Sequence, residues 1–429
     1  MARAARPVAI LGGNRIPFAR SNGRYAQASN QDMLTATLNG LVARFGLAGT
    51  RLDEVAAGAV LKHSRDFNLT RESVLGSSLD ARIPAYDVGQ ACGTGLEAAV
   101  LVGNKIALGQ VDSGIAGGVD TTSDAPIAVN DDLRRVLLEL NRGKSYTDYL
   151  AALAKLRPNQ IVPETPRNAE PRTGLSMGEH AALTARQWNV GRTEQDELTV
   201  ASHHRLAAAY ERGFFDDLLT PYLGLRRDEN LRPDTSVEKL GKLKTIFGSE
   251  TMTAGNSTPL TDGASAVLLG SQEWAGRHDL PVLAHLVDSQ TAAVDYVHGD
   301  DGLLTAPVRA VPRLLARNGL GLADLDLVEM HEAFASQVLA TLKAWEDADY
   351  CKRELGLDGA FGTIDRDRLN VTGSSLAGGH PFAATGGRIV ATLAKLLHER
   401  AASTGKPASG LISVCAAGGQ GVVALLRTP

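Results

Sequence analysis

A repeating alternation runs along the chain: a short apolar run stopped by glycine, then a longer stretch with apolar residues three and four apart. Residues 8–11 form the first run and stop at Gly12-Gly13, which reads as a buried strand. Residues 17–30 form a loop, after which Leu34, Leu38, Leu41 and Val42 give 31–45 helical spacing. A strand is expected over 55–61, a helix over 70–79, and a short strand over 85–88 that feeds Cys92. Leu96, Ala99, Val100, Val102 and Ile106 mark a helix over 95–108, and 113–119 is a glycine-bearing strand. This alternation of strands and helices predicts an α/β fold with a mostly parallel sheet covered on both faces.

Between Asp120 and about residue 250 the texture changes. Pro158, Pro163, Pro166 and Pro171 interrupt it, and amphipathic helices are expected over 131–140, 177–188 and 193–210. Thr193-Glu194-Gln195-Asp196 is a candidate cap for the last of these. Leu133, Val136, Leu137 and Leu140 share one side of the first, and Tyr146, Tyr149 and Leu150 follow it. Strand-like alternation resumes at 251–256 and 264–269, so 121–250 reads as an insertion within an N-terminal half made of 1–120 and 251–275. The second half, 276–429, repeats the theme. It has a strand over 282–287, a helix over 308–318 and a strand over 327–330 ending at His331. A Gly-rich turn at His380 enters a helix running through residue 397, and a strand over 410–414 reaches Cys415 and returns antiparallel over 421–426. The similar plan of the halves suggests a duplicated α/β unit.

Composition narrows the classes. The 429 residues exceed one ordinary core. A formal charge of −4 gives no reason to expect nucleic acid. Three cysteines cannot build a disulfide framework and fit no zinc spacing, so a cytoplasmic protein without a metal is expected. Arg3 and Arg6 precede no long apolar run, and no run in the chain reaches membrane-spanning length.

The candidate chemistry sits in small-residue turns at element ends. Cys92 lies in Gln90-Ala91-Cys92-Gly93-Thr94-Gly95, where a helix begins. Free N–H groups of a first helical turn favour a thiolate there, although the same setting also suits a small buried hydrophobe. His331-Glu332-Ala333-Phe334 ends a strand, and Pro381 suits a first helical position, which would place His380 at a helix N-terminus and keep its imidazole neutral. Cys415-Ala416-Ala417-Gly418-Gly419-Gln420-Gly421 closes the set. Each histidine, and Cys415, alone is compatible with a structural role. The combination shifts the balance toward chemistry, because two cysteines and two histidines all lie in Gly-rich turns at element ends, where α/β folds collect ligands. Cys351 lies in a charged stretch, 347–354, and is read as incidental.

With these turns in view, the sequence resembles the thiolase family over nearly its whole length. The resemblance continues in Ser176-Met177-Gly178, Arg232-Pro233-Asp234-Thr235, Thr253-Ala254-Gly255-Asn256-Ser257 and Asp262-Gly263-Ala264. It implies two βαβαβαββ halves in five α-β-α-β-α layers, with the mainly helical insertion covering coenzyme A. His331, where many thiolases carry Asn, and Ala417 in the Cys415 turn resemble the β-subunit of trifunctional fatty-acid-oxidation complexes. Ser176 stands where several thiolases have histidine.

The resemblance also implies an acyltransferase that cleaves 3-ketoacyl-CoA with CoA in fatty-acid β-oxidation. Cys92 would be acylated, His380 would accept its proton, and Cys415 would protonate the acetyl-CoA enolate. His331 with His380 would hold the thioester oxygen, and the backbone N–H groups of Cys92 and Ala417 would form a second oxyanion hole. Met177, Arg232, Ser257, Thr258 and Phe334 are the expected substrate and CoA contacts. No cofactor is implied, since CoA and acyl-CoA are substrates. A homodimer or dimer of dimers is expected, with a hydratase/dehydrogenase subunit as a possible partner. The alternatives are a biosynthetic acetoacetyl-CoA thiolase, a ketosynthase-like condensing enzyme, which would lack Cys415, and a non-catalytic lipid carrier.

Overall fold

The computed structural model describes residues 5–429, so Arg3 of the basic N-terminal segment lies outside the described residues. The first half contains strand β1 (Val8–Arg15), helix α1 (Asn30–Phe45), β2 (Glu54–Ala57), α2 (Leu69–Leu75), β3 (Ala85–Asp87), α3 (Thr94–Ala107) and β4 (Ser113–Asp120). The inserted stretch carries α4 (Asp131–Arg142), α5 (Tyr146–Leu153), α6 (Met177–Gln187) and α7 (Arg192–Glu211). After β5 (Thr261–Ser271), the second half adds β6 (Ala284–Ala293), α8 (Ala306–Arg317), β7 (Leu327–Met330), α9 (Ala335–Glu346), α10 (Ala384–Thr404), β8 (Ser409–Ala416) and β9 (Gln420–Arg427).

Among the described residues these strands join one ten-stranded sheet in the order β7-β8-β9-β6-β1-β5-β4-β2-β3, with Ala19–Arg20 paired to β5 off this path. The sheet is mixed, which corrects the mostly parallel expectation. Pairing is parallel at both ends, β2 with β3 and β4, and β7 with β8. The middle is antiparallel because β8 turns directly into β9, and β1 lies between β5 and β6.

Three cores separate the layers. One unites α3 and α10 with strands of both halves, including Leu96, Ala99, Ile389, Leu393, Val267 and Val422. A second packs α1 and α2 on the N-terminal half, and a third packs α8 and α9 on the C-terminal half. With the two halves of this one sheet on either side of α3 and α10, the order is helix, half-sheet, helix, half-sheet, helix.

Local expectations shift where side chains outcompete pattern. Residues 251–256 form no strand: the Asn256 side chain accepts from Thr253 N (2.7 Å) and donates to Asp196 (3.0 Å) and Thr251 O (3.2 Å), pulling the segment into a turn. The strand expected over 55–61 ends at Ala57. Gly191, rather than Thr193, caps α7, its N–H donating to Glu194 at 2.5 Å. In the insertion α4 and α5 form a hairpin that buries Val136 and Ala152. Leu137, Tyr146, Tyr149, Leu150, Leu153 and Ile161 stay exposed.

Candidate active site

The approach of α3 to α10 positions the chemistry. Both helices present glycine at their crossing, and a Cβ on Gly386 would lie 2.1 Å from Leu96 N. One on Gly95 would lie 2.5 Å from Ala383 O. The turns that precede the two helices are thereby drawn together, and they carry Cys92 and His380.

Cys92 sits in a single 3₁₀ turn, Ala91–Gly93, just before α3. Ala91 is held at φ 47°, a conformation non-glycine residues rarely adopt, which lifts the cysteine toward the His380 turn. The thiol lies 3.1 Å from His380 Nε2. Burial pushes it up to about 12, against the pull of the Ala417 and Cys92 backbone N–H groups that face the sulfur. The helix start therefore does not deliver the resting thiolate expected from its position; desolvation wins.

His380 also departs from expectation. α10 begins at Ala384, so Pro381 is not its first residue and His380 precedes the helix in a turn. The ring's acidity shift, down to about 3, comes from burial and the nearby Arg388 cation. His380 Nδ1 is 2.6 Å from Thr385 Oγ1. With the Nδ1 hydrogen on Thr385, Nε2 presents a lone pair to the thiol, as a base requires. Thr385 was not singled out in the sequence. The only signal was a hydroxyl in the first turn of the helix after a candidate histidine. Asp120 ties the turn to the N-terminal half by accepting from Ala383 N (2.8 Å), Val60 N (2.9 Å) and Leu61 N (2.8 Å).

His331 leaves β7 with its ring centroid 4.0 Å from that of His380. It is fully buried, and among the described residues its Nε2 has no hydrogen-bond partner. Its Nδ1 is 2.8 Å from Ser375 Oγ. Neighbouring Glu332 is structural: it accepts from Ser202 Oγ (2.8 Å), Asn370 Nδ2 (2.8 Å) and Leu376 N (3.1 Å). Donor atoms of Cys92, His331 and His380 all lie within 4.8 Å of one another. That spacing is within reach of a metal ion, but the thiol–imidazole contact has the length of a hydrogen bond and needs none.

Cys415 is buried near the end of β8, and burial with the neighbouring Cys92 sulfur holds its thiol well above the usual range. Met177, Phe334, Met252 and Leu303 make an apolar wall beside it. The turn after Cys415 is held from the insertion. Glu170 accepts from Gly418 N (2.7 Å) and from the Tyr296 hydroxyl (3.0 Å). Sequence reasoning missed Glu170, an ordinary carboxylate in a proline-rich stretch.

A groove of about 700 Å³ opens beside this cluster, lined by Arg20, Arg232, Lys239, His203, Ser257 and Leu260, among others. Leu260 bridges to His380 and Ser257 to Phe334, so its floor reaches the turns that carry His380 and His331. Arg232 lines this groove, and Arg20 and Lys239 lie in it as well. Thr258 does not: its hydroxyl donates to Ala333 O at 2.8 Å, and it braces the His331 loop. The hydroxyl of Ser257 likewise donates to Thr253 O, at 2.8 Å, leaving only acceptor capacity for a ligand. A groove of about 760 Å³ between Trp188, Asp301, Asp347 and Glu354 contains none of the residues above.

Comparison with known proteins gives this geometry its family. Residues 8–273 match the model "Thiolase, N-terminal domain", and 280–428 match "Thiolase, C-terminal domain". The chain is 37% identical over 428 residues to a 3-ketoacyl-CoA thiolase of Yersinia pestis, covering 98% of this chain and 96% of that one. Among solved structures it resembles a Bacillus anthracis acetyl-CoA acetyltransferase (TM-score 0.80, 28% identity, 99% of this chain and 100% of that one). It also resembles human mitochondrial 3-ketoacyl-CoA thiolase in complex with CoA (TM-score 0.80, 27% identity, 99% of this chain and 98% of that one). A duplicated fold matched over both halves, with a cysteine–histidine pair between its two central helices, makes this chain a member of the thiolase family of acyltransferases.

Proposed function

We propose that this protein cleaves 3-ketoacyl-CoA with CoA, giving acetyl-CoA and an acyl-CoA two carbons shorter, in fatty-acid β-oxidation. The observation that carries this reading is the 3.1 Å contact between the Cys92 thiol and the His380 imidazole, with a second cysteine buried alongside. His380 Nε2 takes the Cys92 proton as the sulfur adds to the 3-keto carbon. The oxygen of that carbon is met by the N–H groups of Cys92 and Ala417. The bond between C2 and C3 then breaks, leaving an acyl thioester on Cys92 and an acetyl-CoA enolate. Its oxygen is held by His331 and by the protonated His380, each such donor supplying about 3 kcal/mol. Cys415 gives its proton to the enolate carbon and takes one back from the protonated His380, which leaves both neutral. The incoming CoA thiol then passes its proton to His380 as its sulfur takes the acyl group, and the departing Cys92 sulfur recovers that proton from His380.

In this reading the insertion, 121–250, covers CoA. Arg20, Arg232 and Lys239 meet phosphates at the groove mouth, and Ser257 lies along the pantetheine. The Met177–Phe334 wall receives the acyl chain. The ketosynthase alternative is disfavoured by Cys415, and the lipid-carrier alternative by the complete set of reacting groups. Steady-state rates against a ladder of 3-ketoacyl-CoAs are expected to show CoA-dependent cleavage, with a longer-chain preference distinguishing the degradative enzyme from an acetoacetyl-CoA thiolase. No cleavage of any member would overturn the reading.

The protein is further proposed to be cytoplasmic and a homodimer or dimer of dimers. The exposed α4–α5 hairpin is its docking face for a hydratase/dehydrogenase subunit. Among the described residues no helix is long and apolar enough to cross a membrane. Replacing 131–171 by a short linker is expected to leave the oligomer seen by light scattering intact and to abolish co-purification of that subunit. Unchanged co-purification would remove the hairpin from the interface.

A further inference from the structure

His331 has to be a hydrogen-bond donor to stabilise an enolate, and a neutral imidazole donates from only one of its nitrogens. Which nitrogen carries the hydrogen is decided by what the other one meets. The group it meets is Ser375 Oγ, 2.8 Å from Nδ1. That hydroxyl is fully buried, and its other polar neighbour is Arg388 Nη2 at 2.9 Å. Arginine only donates. Among the described residues the single hydroxyl hydrogen of Ser375 therefore has one acceptor in reach, His331 Nδ1. An Nδ1 that accepts leaves the hydrogen on Nε2, the buried nitrogen without a partner among those residues.

We propose that Arg388 and Ser375 form a positioning relay that fixes His331 as the Nε2–H tautomer, so that it enters the reaction as an oxyanion-hole donor and not as a base. This rests on the thiolase reading above. The relay gives the two adjacent imidazoles opposite tautomers. His380 has its Nδ1 on Thr385 and its Nε2 lone pair on the thiol, whereas His331 accepts at Nδ1 and donates at Nε2. Two tilted rings with centroids 4.0 Å apart are thus kept from exchanging roles. Arg388 itself is held among buried groups, donating also to Ser374 Oγ at 3.2 Å, which in turn donates to Met330 O at 3.2 Å. The serine cannot easily rotate away, because turning its hydrogen from His331 would aim it at a cation.

The relay touches one half of the reaction. Acylation of Cys92 by acetyl-CoA needs His380 and the backbone hole, while carbon–carbon cleavage needs the enolate donor His331. Ser375→Ala should therefore lower kcat for acetoacetyl-CoA cleavage by about 10- to 100-fold, the usual effect of losing such an orienting group. The KM for CoA and the burst of CoA released when acetyl-CoA acylates Cys92 should stay within about threefold. Ser375→Thr, which keeps the hydroxyl, should recover most of the rate.

In ¹⁵N-histidine correlation spectra of the wild-type protein, with the His331 signals identified by their loss in His331→Asn, the hydrogen is expected on Nε2. Three outcomes would overturn the relay: a hydrogen on Nδ1, a Ser375→Ala variant that loses burst and cleavage in equal measure, or one that loses neither. A wild-type protein that cleaves no 3-ketoacyl-CoA would instead sink the functional reading, and the tautomer spectrum would still report on the relay.

Discussion

Cys92→Ala is expected to abolish turnover, a fall on the order of 10⁵- to 10⁶-fold in kcat, as when the nucleophile of a catalytic unit that acts together is removed. No acyl group should be trapped on the variant, whereas digestion of acetyl-CoA-treated wild-type protein should place the acyl group on the peptide containing Cys92. Cys415→Ala should behave differently. It keeps the Cys92–His380 contact, so it should still acylate in a burst, while cleavage and exchange of the acetyl-CoA methyl protons fall by about 10³-fold, within the usual range for a lost general acid or base. Acyl label on Cys415, or normal proton exchange in its variant, would exchange or delete these roles.

The pH profile follows from the same pair. His380 is depressed from its usual 6.5 to about 3, and Cys92 is raised from 9.0 to about 12. Thiol and imidazole therefore both stay neutral through the physiological range, and the burst rate should be flat from roughly pH 5 to 9 instead of rising with a thiol ionisation. Stability moves in two windows. Between pH 3 and 6.5 the unfolded chain binds a proton that folded His380 refuses, so stability rises with pH there. Between 9 and 12 folded Cys92 keeps a proton that the unfolded thiol has lost, so stability falls with pH. A burst rate that tracks an ionisation near pH 8 would show that the thiol is far less desolvated than its surroundings imply.

Much of this site was legible because its chemistry is written in local turns. Cys92, His331, His380 and Cys415 each stand among small residues at the end of an element, and the family motifs surround them. The rest depends on contacts between segments far apart in sequence. Ser375, Thr385 and Arg388 look like ordinary residues near a glycine-rich turn until the fold sets them against two imidazoles. Glu170 becomes visible only when the insertion folds back on Gly418. The mixed sheet was hidden for the same reason, since nothing in residues 8–15 says that they will lie between β5 and β6. Two inferences failed because local rules met stronger neighbours. The helix start near Cys92 argued for a thiolate, and burial overrides it. Pro381 argued for a helix start, yet Gly379 at φ 99° and the Asp120 contact to Ala383 N hold the His380 turn outside the helix.

Gly386→Ala should be among the most damaging substitutions at residues that touch no substrate. Its new Cβ would lie 2.1 Å from Leu96 N and 2.8 Å from the carbonyl carbon of Gly95, and both are backbone atoms that cannot rotate aside. The helices α3 and α10 would have to separate, and they form the middle layer on which both halves of the sheet pack. Overpacking of this kind costs about 1–3 kcal/mol and sometimes more. The effect on rate should be larger than the effect on stability. Thr385 and the His380 turn move with the start of α10, while Cys92 moves with the start of α3, so separation acts directly on the 3.1 Å thiol–imidazole contact. A displacement near 1 Å at reacting groups lowers rates by about 10²-fold. Gly276→Ala is the control: its Cβ meets nothing within 4 Å, so the substitution should be neutral or stabilising by about 0.4–1 kcal/mol. Thermal melting and burst kinetics on the two variants separate the effects. A Gly386→Ala protein that melts and acylates like the wild type would mean that the glycine contact between α3 and α10 does not set the distance from Cys92 to His380.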